Sequence, residues 1–258
     1  MRVGLIGFGT IGMGVARLLC PADQIELVGA LVRDSSKARP VSAPPLYERA
    51  SELVEEARPD VVVEVAGHAA LACHGPAVLR AGVDLILLSI GALADPSVEA
   101  ALCESAHAGH ARLEVASGAI GALDAIASAA VGGLDSVTHT TRKPAKALLD
   151  EAAARGLEQP LEVFRGSARE GALKFPENIN VAAAVAFAGL GLDKTEVCVV
   201  ADPTLERNTH EVVARGSFGE LRFSIAGVPT QENRRTGRLV AMSVVHALRR
   251  RQAWMAVG

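Results

Sequence analysis

Gly7-Phe8-Gly9-Thr10-Ile11-Gly12 follows the apolar run Val3–Ile6 directly and leads straight into a helical pattern. Few folds accommodate that order. A strand that stops at a glycine turn and re-enters as a helix opens a parallel βαβ unit. Gly7 makes the tight turn, Gly9 lets the backbone approach a pyrophosphate, and Gly12 lets the helix lie close to the strand. The N–H groups and dipole at the helix start favour a phosphate there. The loop therefore predicts a dinucleotide site.

The alternation continues. A helix is predicted over Ile11–Leu19, a strand over Ile25–Val32, a helix over Ser51–Ala57 and a β-branched strand over Val61–Val65. Helix Ala70–Ala81, strand Leu85–Ser89, a helix from Pro96 to about Ala108 and strand Arg112–Ala116 complete the series. Such a run gives a doubly wound parallel sheet covered on both faces. The proline-rich Arg39–Leu46 reads as a loop. After it the grammar changes: helix Ala119–Val131, strands Ser136–Thr141 and Leu161–Phe164, and helix Asn180–Leu190. Strand Thr195–Ala201, the hairpin His210–Arg215 with Glu220–Ala226, and helix Leu239–Arg250 follow. The expectation is an α/β chain: an N-terminal Rossmann domain over 1–117, completed by a C-terminal helix at 237–258, with an α+β domain inserted at 118–236.

Half of the residues are hydrophobic, which suffices for real cores, and 26 Lys and Arg against 29 Asp and Glu leave a net charge of −3. No basic field draws the chain to nucleic acid or an anionic membrane. Six Phe, one Tyr and one Trp are too few for a base-stacking platform. Cys20, Cys73, Cys103 and Cys198 lack metal spacing and read as free, mostly buried thiols of a reducing cytoplasm. The first apolar run is too short for a secretory leader, and no run is long enough to span a bilayer. A soluble cytoplasmic protein without metal is expected.

An acid after the second strand would hold the ribose of NAD. Here the order is Val32-Arg33-Asp34-Ser35-Ser36-Lys37, so Arg33, with Ser35 and Lys37, would suit the 2′-phosphate of NADP. Small residues at Ser117–Gly121 would let a nicotinamide lie on the backbone, or would simply form a hinge. Asn180, after Lys174–Ile179, is either a helix N-cap or an amide for the nicotinamide. His210 shares a strand face with Val212 and Ala214, as a core histidine does, yet its ordinary pKa suits acid–base work. Asp202 is its nearest acidic candidate in sequence. Arg142, Lys143 and Lys146 cluster at a strand end, either solvated or placed to attract a dicarboxylate.

Taken together, several stretches resemble the L-aspartate dehydrogenase family: Gly118–Asp124, Lys143–Lys146, Phe175–Ala182, Val200–Pro203 with Asn208–His210, and Pro229–Asn233. They occur in the family's order and run almost end to end. The resemblance implies a Rossmann domain with an inserted substrate and dimerisation domain, usually in a homodimer. It implies NAD or NADP as cofactor, held by Gly7, Gly9, Thr10, Ile11, Gly12, Ala119 and Asn180, with Arg33 added from the strand-end reading. It places the catalytic histidine at His210. Lys143, Lys146 and Asn208 are taken as the substrate-binding residues. The implied reaction oxidises L-aspartate to iminoaspartate, which hydrolyses to oxaloacetate and ammonia or feeds quinolinate and pyridine nucleotide synthesis. Ala122 departs from the family, standing where a second glycine is common. Two rival readings are a related Rossmann oxidoreductase for another amino acid and a non-catalytic NAD(P)-binding sensor.

Overall fold

The run of small and apolar residues in β1 (Arg2–Ile6) is buried from Val3 onward, as a central parallel strand requires. The structure, a computed structural model, describes residues 1–39, 43–175, 180–233 and 236–256. Contacts divide the chain into two compact units: Met1–Gly118 with the segment from Leu239 on, and Ala119–Arg238.

In the first unit β1 is joined by β2 (Glu26–Leu31), β3 (Leu46–Tyr47), β4 (Val61–Glu64), β5 (Asp84–Leu87) and β6 (Leu113–Val115). All pair in parallel, in the order β3-β2-β1-β4-β5-β6. That is the doubly wound order, with the chain reversing direction beside β1. The crossover helices are α1 (Thr10–Leu18), α2 (Ala50–Ala57), α3 (His68–Arg80) and α4 (Pro96–Gly109). Part of the expected proline-rich loop is the edge strand β3, which bonds to β2 at Ala30 and Leu31.

In the second unit α5 (Leu123–Val131) leads to the long β7 (Leu134–Pro144), then α6 (Glu151–Gly156), β8 (Leu161–Ser167), α7 (Ala168–Lys174) and α8 (Asn180–Ala188). Then come β9 (Glu196–Asp202), β10 (Thr209–Gly216) and β11 (Gly219–Ala226). Here the sheet order is β11-β10-β7-β9-β8, with only β7 and β9 parallel. α5 packs on α8, and Ile126 of α5 and Val137 of β7 both crowd Gly189, just past α8. The last helix, α9 (Arg238–Gln252), buries Val244, Val245, Ala247 and Leu248 among Val3, Leu5, Val63 and Ile86 of the first unit. Arg251 at its end bonds to Asp84 and Glu114 of β5 and β6, and Arg249 pairs with Asp23 at 2.7 Å.

Two expectations need correction. Three of the four thiols are exposed: Cys73 and Cys103 lie on solvent faces of α3 and α4, Cys20 follows α1, and Cys198 alone is buried. The helix expected over Ala119–Val131 begins only at Leu123, because Gly118 and Ala122 both adopt left-handed backbone, at φ +64° and +60°. For an alanine that conformation costs about 1 kcal/mol that glycine escapes. Ala122→Gly is accordingly expected to stabilise the protein by about 1 kcal/mol, read as a raised urea midpoint. A lowered midpoint would mean that the Ala122 methyl makes contacts worth more than the strain.

Candidate active site

A Cβ on Gly7, which sits at φ +100°, would lie 2.7 Å from the Ala66 methyl, and one on Gly12 would lie 2.8 Å from the Gly7 carbonyl oxygen. Both glycines are therefore demanded by the fold itself. Gly9 differs: a Cβ there would meet nothing within 4 Å among the described residues. The close approach that Gly9 permits thus serves something other than the protein's own packing. Gly9 also caps α1 without a side chain, and the first turn carries no acid, so its N–H groups are left to an anion. These features fit the pyrophosphate of a dinucleotide.

The wall behind this loop is fixed by a residue that sequence reasoning passed over. Glu64 ends the valine strand β4, wholly buried. Its carboxylate accepts from the N–H groups of Ala66 and Gly67 at 2.7 Å each, and from the Ser89 N–H and hydroxyl at 3.0 and 2.9 Å. One buried carboxylate therefore fastens the turns after β4 and β5, including the Ala66 against which Gly7 packs. A charged residue closing an all-valine strand was the available signal.

Past β2, Val32 is buried and Arg33 is exposed. The Asp34 carboxylate accepts from the Ser36 N–H and hydroxyl at 3.0 and 2.6 Å, which holds its pKa below the ordinary value. The one acid near the ribose position is thus engaged in its own turn. Glu48 accepts in the same way from the Ser35 N–H and hydroxyl, both at 2.8 Å.

In the second unit, antiparallel pairing sets His210 of β10 opposite Thr141 of β7. Strand alternation places His139, Thr141 and Lys143 on that same face. His210 Nδ1 lies 3.2 Å from Thr141 Oγ1 and 3.3 Å from His139 Nε2. Burial, with Lys143 adding, pushes the His210 pKa down to about 4. Burial, with His210 adding, pushes that of His139 down to about 3. Both rings are neutral at pH 7.

The other candidates are sorted by strand face. Arg142 points to the opposite side of β7 and pairs with Glu211 at 3.6 Å. Lys146 is exposed in a short 3-10 turn beyond the strand. Of the basic cluster, only Lys143 reaches the field of His210. Asp202 is not the partner of His210: its carboxylate accepts from the Thr204 N–H and hydroxyl at 2.9 and 2.7 Å, and it shares a face with Arg142. Asn208 is half-buried just before β10, where its carbonyl accepts from the Gly227 N–H at 2.9 Å. Ala119 is half-buried after Gly118. Asn180 is the first residue of α8, already inside the helix, while 176–179 of its cluster lie outside the described residues.

Known proteins agree with this arrangement. The family profile described as aspartate dehydrogenase, C-terminal, matches residues 124–251, and that of the homoserine dehydrogenase NAD-binding domain matches residues 7–116. An L-aspartate dehydrogenase of Ruegeria pomeroyi is 44% identical over 98% of this chain and 93% of its own length. One from Ralstonia pickettii is 42% identical over 96% of each. The crystal structure of aspartate dehydrogenase from Thermotoga maritima superposes with a TM-score of 0.82 at 28% identity, covering 100% of this chain and 99% of that one. A glycine loop built for a dinucleotide, a buried histidine–lysine face and end-to-end likeness at this level lead to one conclusion: the chain belongs to the L-aspartate dehydrogenase family.

Proposed function

We propose that this chain oxidises L-aspartate at its amine-bearing carbon, giving iminoaspartate, with the first unit holding the dinucleotide and the second the substrate. The observation that carries the proposal is the buried face on which a neutral histidine, His210, lies within the field of a lysine, Lys143. A dicarboxylate needs cationic charge in a poorly solvated place, and the chemistry needs a group that exchanges protons near neutrality. NAD or NADP, when bound, supplies the hydride acceptor.

Every other part falls to the protein. The Gly7–Gly12 loop and the start of α1 hold the pyrophosphate, with Thr10 and Ile11 contributing; Ala119 and Asn180 are assigned to the nicotinamide end. Lys143 holds one substrate carboxylate, which orients the carbon–hydrogen bond. His210 is the acid–base group for the amine or for the water that hydrolyses the imine to oxaloacetate and ammonia. Asn208, two residues before His210, is kept as a further substrate contact, while Lys146 is set aside on its exposure. A homodimer and a cytoplasmic location rest on the family likeness and the sequence reading. Among the described residues no helix is long and apolar enough to cross a membrane.

The test is a spectrophotometric scan of amino acids with NAD and with NADP. Aspartate-dependent reduction of the dinucleotide supports the proposal. Turnover of homoserine or alanine in preference to aspartate, or binding without turnover, overturns it.

Cofactor choice carries its own expectation. With Asp34 engaged by Ser36 and Arg33 exposed beside it, NADP should be accepted, and Arg33→Ala should lower the NADP-to-NAD specificity ratio about tenfold or more, the worth of one charge-assisted contact. A ratio unchanged by the substitution would show that Arg33 takes no part in reading the 2′ position.

A further inference from the structure

His139 lies in the core of the second unit, fully inaccessible, and its ring meets that of His210. The planes are 14° apart and the centroids 5.4 Å apart. With Nε2 of one ring 3.3 Å from Nδ1 of the other, that centroid separation is close to the largest the contact allows. The two nitrogens therefore face each other nearly along the line of centres, edge to edge, as in an in-plane hydrogen bond. Two neutral imidazoles can share one such bond in only two ways.

In the first, His139 carries its proton on Nε2 and donates to the His210 Nδ1 lone pair. In the second, His210 carries its proton on Nδ1. The unpartnered atom decides between them. His139 Nδ1 is buried and has no hydrogen-bond partner among the described residues. The second arrangement either aims two N–H groups at each other or moves the His139 proton to Nδ1, leaving a buried donor unmade. An unused lone pair at that atom is the more tolerable outcome. Thr141 agrees with the first arrangement, since its hydroxyl, 3.2 Å from His210 Nδ1, can donate to the same lone pair.

We propose that His139 is a positioning residue: by donating from Nε2 to His210 Nδ1 it fixes the His210 proton on Nε2, the nitrogen turned away from the pair. The inference rests on the assignment of His210 as the catalytic group. The resting enzyme then offers the substrate an N–H, a donor for a carboxylate or keto oxygen, and not a lone pair. His210 acts as a donor before it can act as a base. The nearby groups that bear on this state are Lys143 on the same face, whose charge disfavours a second proton on the ring, and the neutral His139.

The experiment uses ¹⁵N-histidine-labelled protein at neutral pH and long-range ¹H–¹⁵N correlation, with His210→Ala to assign the peaks. The expected pattern for His210 is a protonated Nε2 and an unprotonated, hydrogen-bonded Nδ1. His139→Gln, which keeps an N–H donor, should retain that pattern and turnover within a few-fold of wild type. His139→Leu should let the His210 proton populate Nδ1, with kcat falling about tenfold or more and KM changing less. A wild-type His210 protonated at Nδ1 would overturn the inference while leaving the catalytic assignment intact, and so would equal turnover in the Leu and Gln variants. Near-normal turnover in His210→Ala would overturn the catalytic assignment itself, whatever the tautomer.

Discussion

Replacing His210 with Ala is expected to cut turnover by about 10²–10⁴-fold, the usual worth of a positioned acid–base group. The loss should appear in kcat, because the group removed exchanges its proton or hydrogen bond in the reacting complex. Dinucleotide binding should survive, since Gly7, Gly9 and Gly12 are held by contacts with Ala66 and with each other and owe nothing to β10. Folding should survive as well, because Val212 and Ala214 keep the same strand face buried. Titrating the fluorescence of bound NADH in the variant, alongside its steady-state rates, separates the two effects. A variant with near-normal kcat would return His210 to the status of a packed core residue.

The second large effect is expected at Lys143 and not at its neighbour. A charge-assisted contact to a carboxylate in a poorly solvated place contributes roughly 1.5–3 kcal/mol. Lys143→Ala should therefore lower kcat/KM for aspartate about tenfold to a hundredfold. Lys146, exposed beyond the strand, should tolerate alanine with little change. Wild-type enzyme should use alanine poorly, since that substrate leaves the lysine without its anion. Lys143 also lowers the proton affinity of His210, so its removal should raise the pH at which His210 protonates, moving the acid limb of the rate profile upward. If Lys143→Ala keeps wild-type efficiency while Lys146→Ala does not, the assignment within this cluster is reversed.

The sequence resolved these two lysines no further than a basic cluster, and the reason is geometric. The strand read as Ser136–Thr141 runs on to Pro144, so Arg142 and Lys143 are strand residues and alternate between faces. A shift of one residue decides which of them meets the substrate. The same rule separates Asp202 from His210, which are near in sequence but engaged on opposite sides of the sheet. His139 and Thr141 were legible only as members of a strand. Their meeting with His210 depends on a pairing register between segments some seventy residues apart, and no local pattern encodes it. The glycine loop and the parallel sheet were legible for the opposite reason: strand, turn and helix are contiguous, and each apolar run reports its own burial. The cysteines misled because small apolar character is a weak guide to which face of a helix a residue occupies.

The place of α9 has a consequence for synthesis. The core of the first unit includes Val244, Val245, Ala247 and Leu248, yet everything from Ala119 to Arg238 leaves the ribosome before them. At about 5–20 residues per second that interval is on the order of ten seconds. During it the second unit, an uninterrupted stretch of chain, has all it needs to fold, while the parallel sheet waits with Val3, Leu5 and Ile86 lacking their cover. The unit begun first is finished last, and its open apolar face is the point at which a nascent chain of this design is most exposed to aggregation.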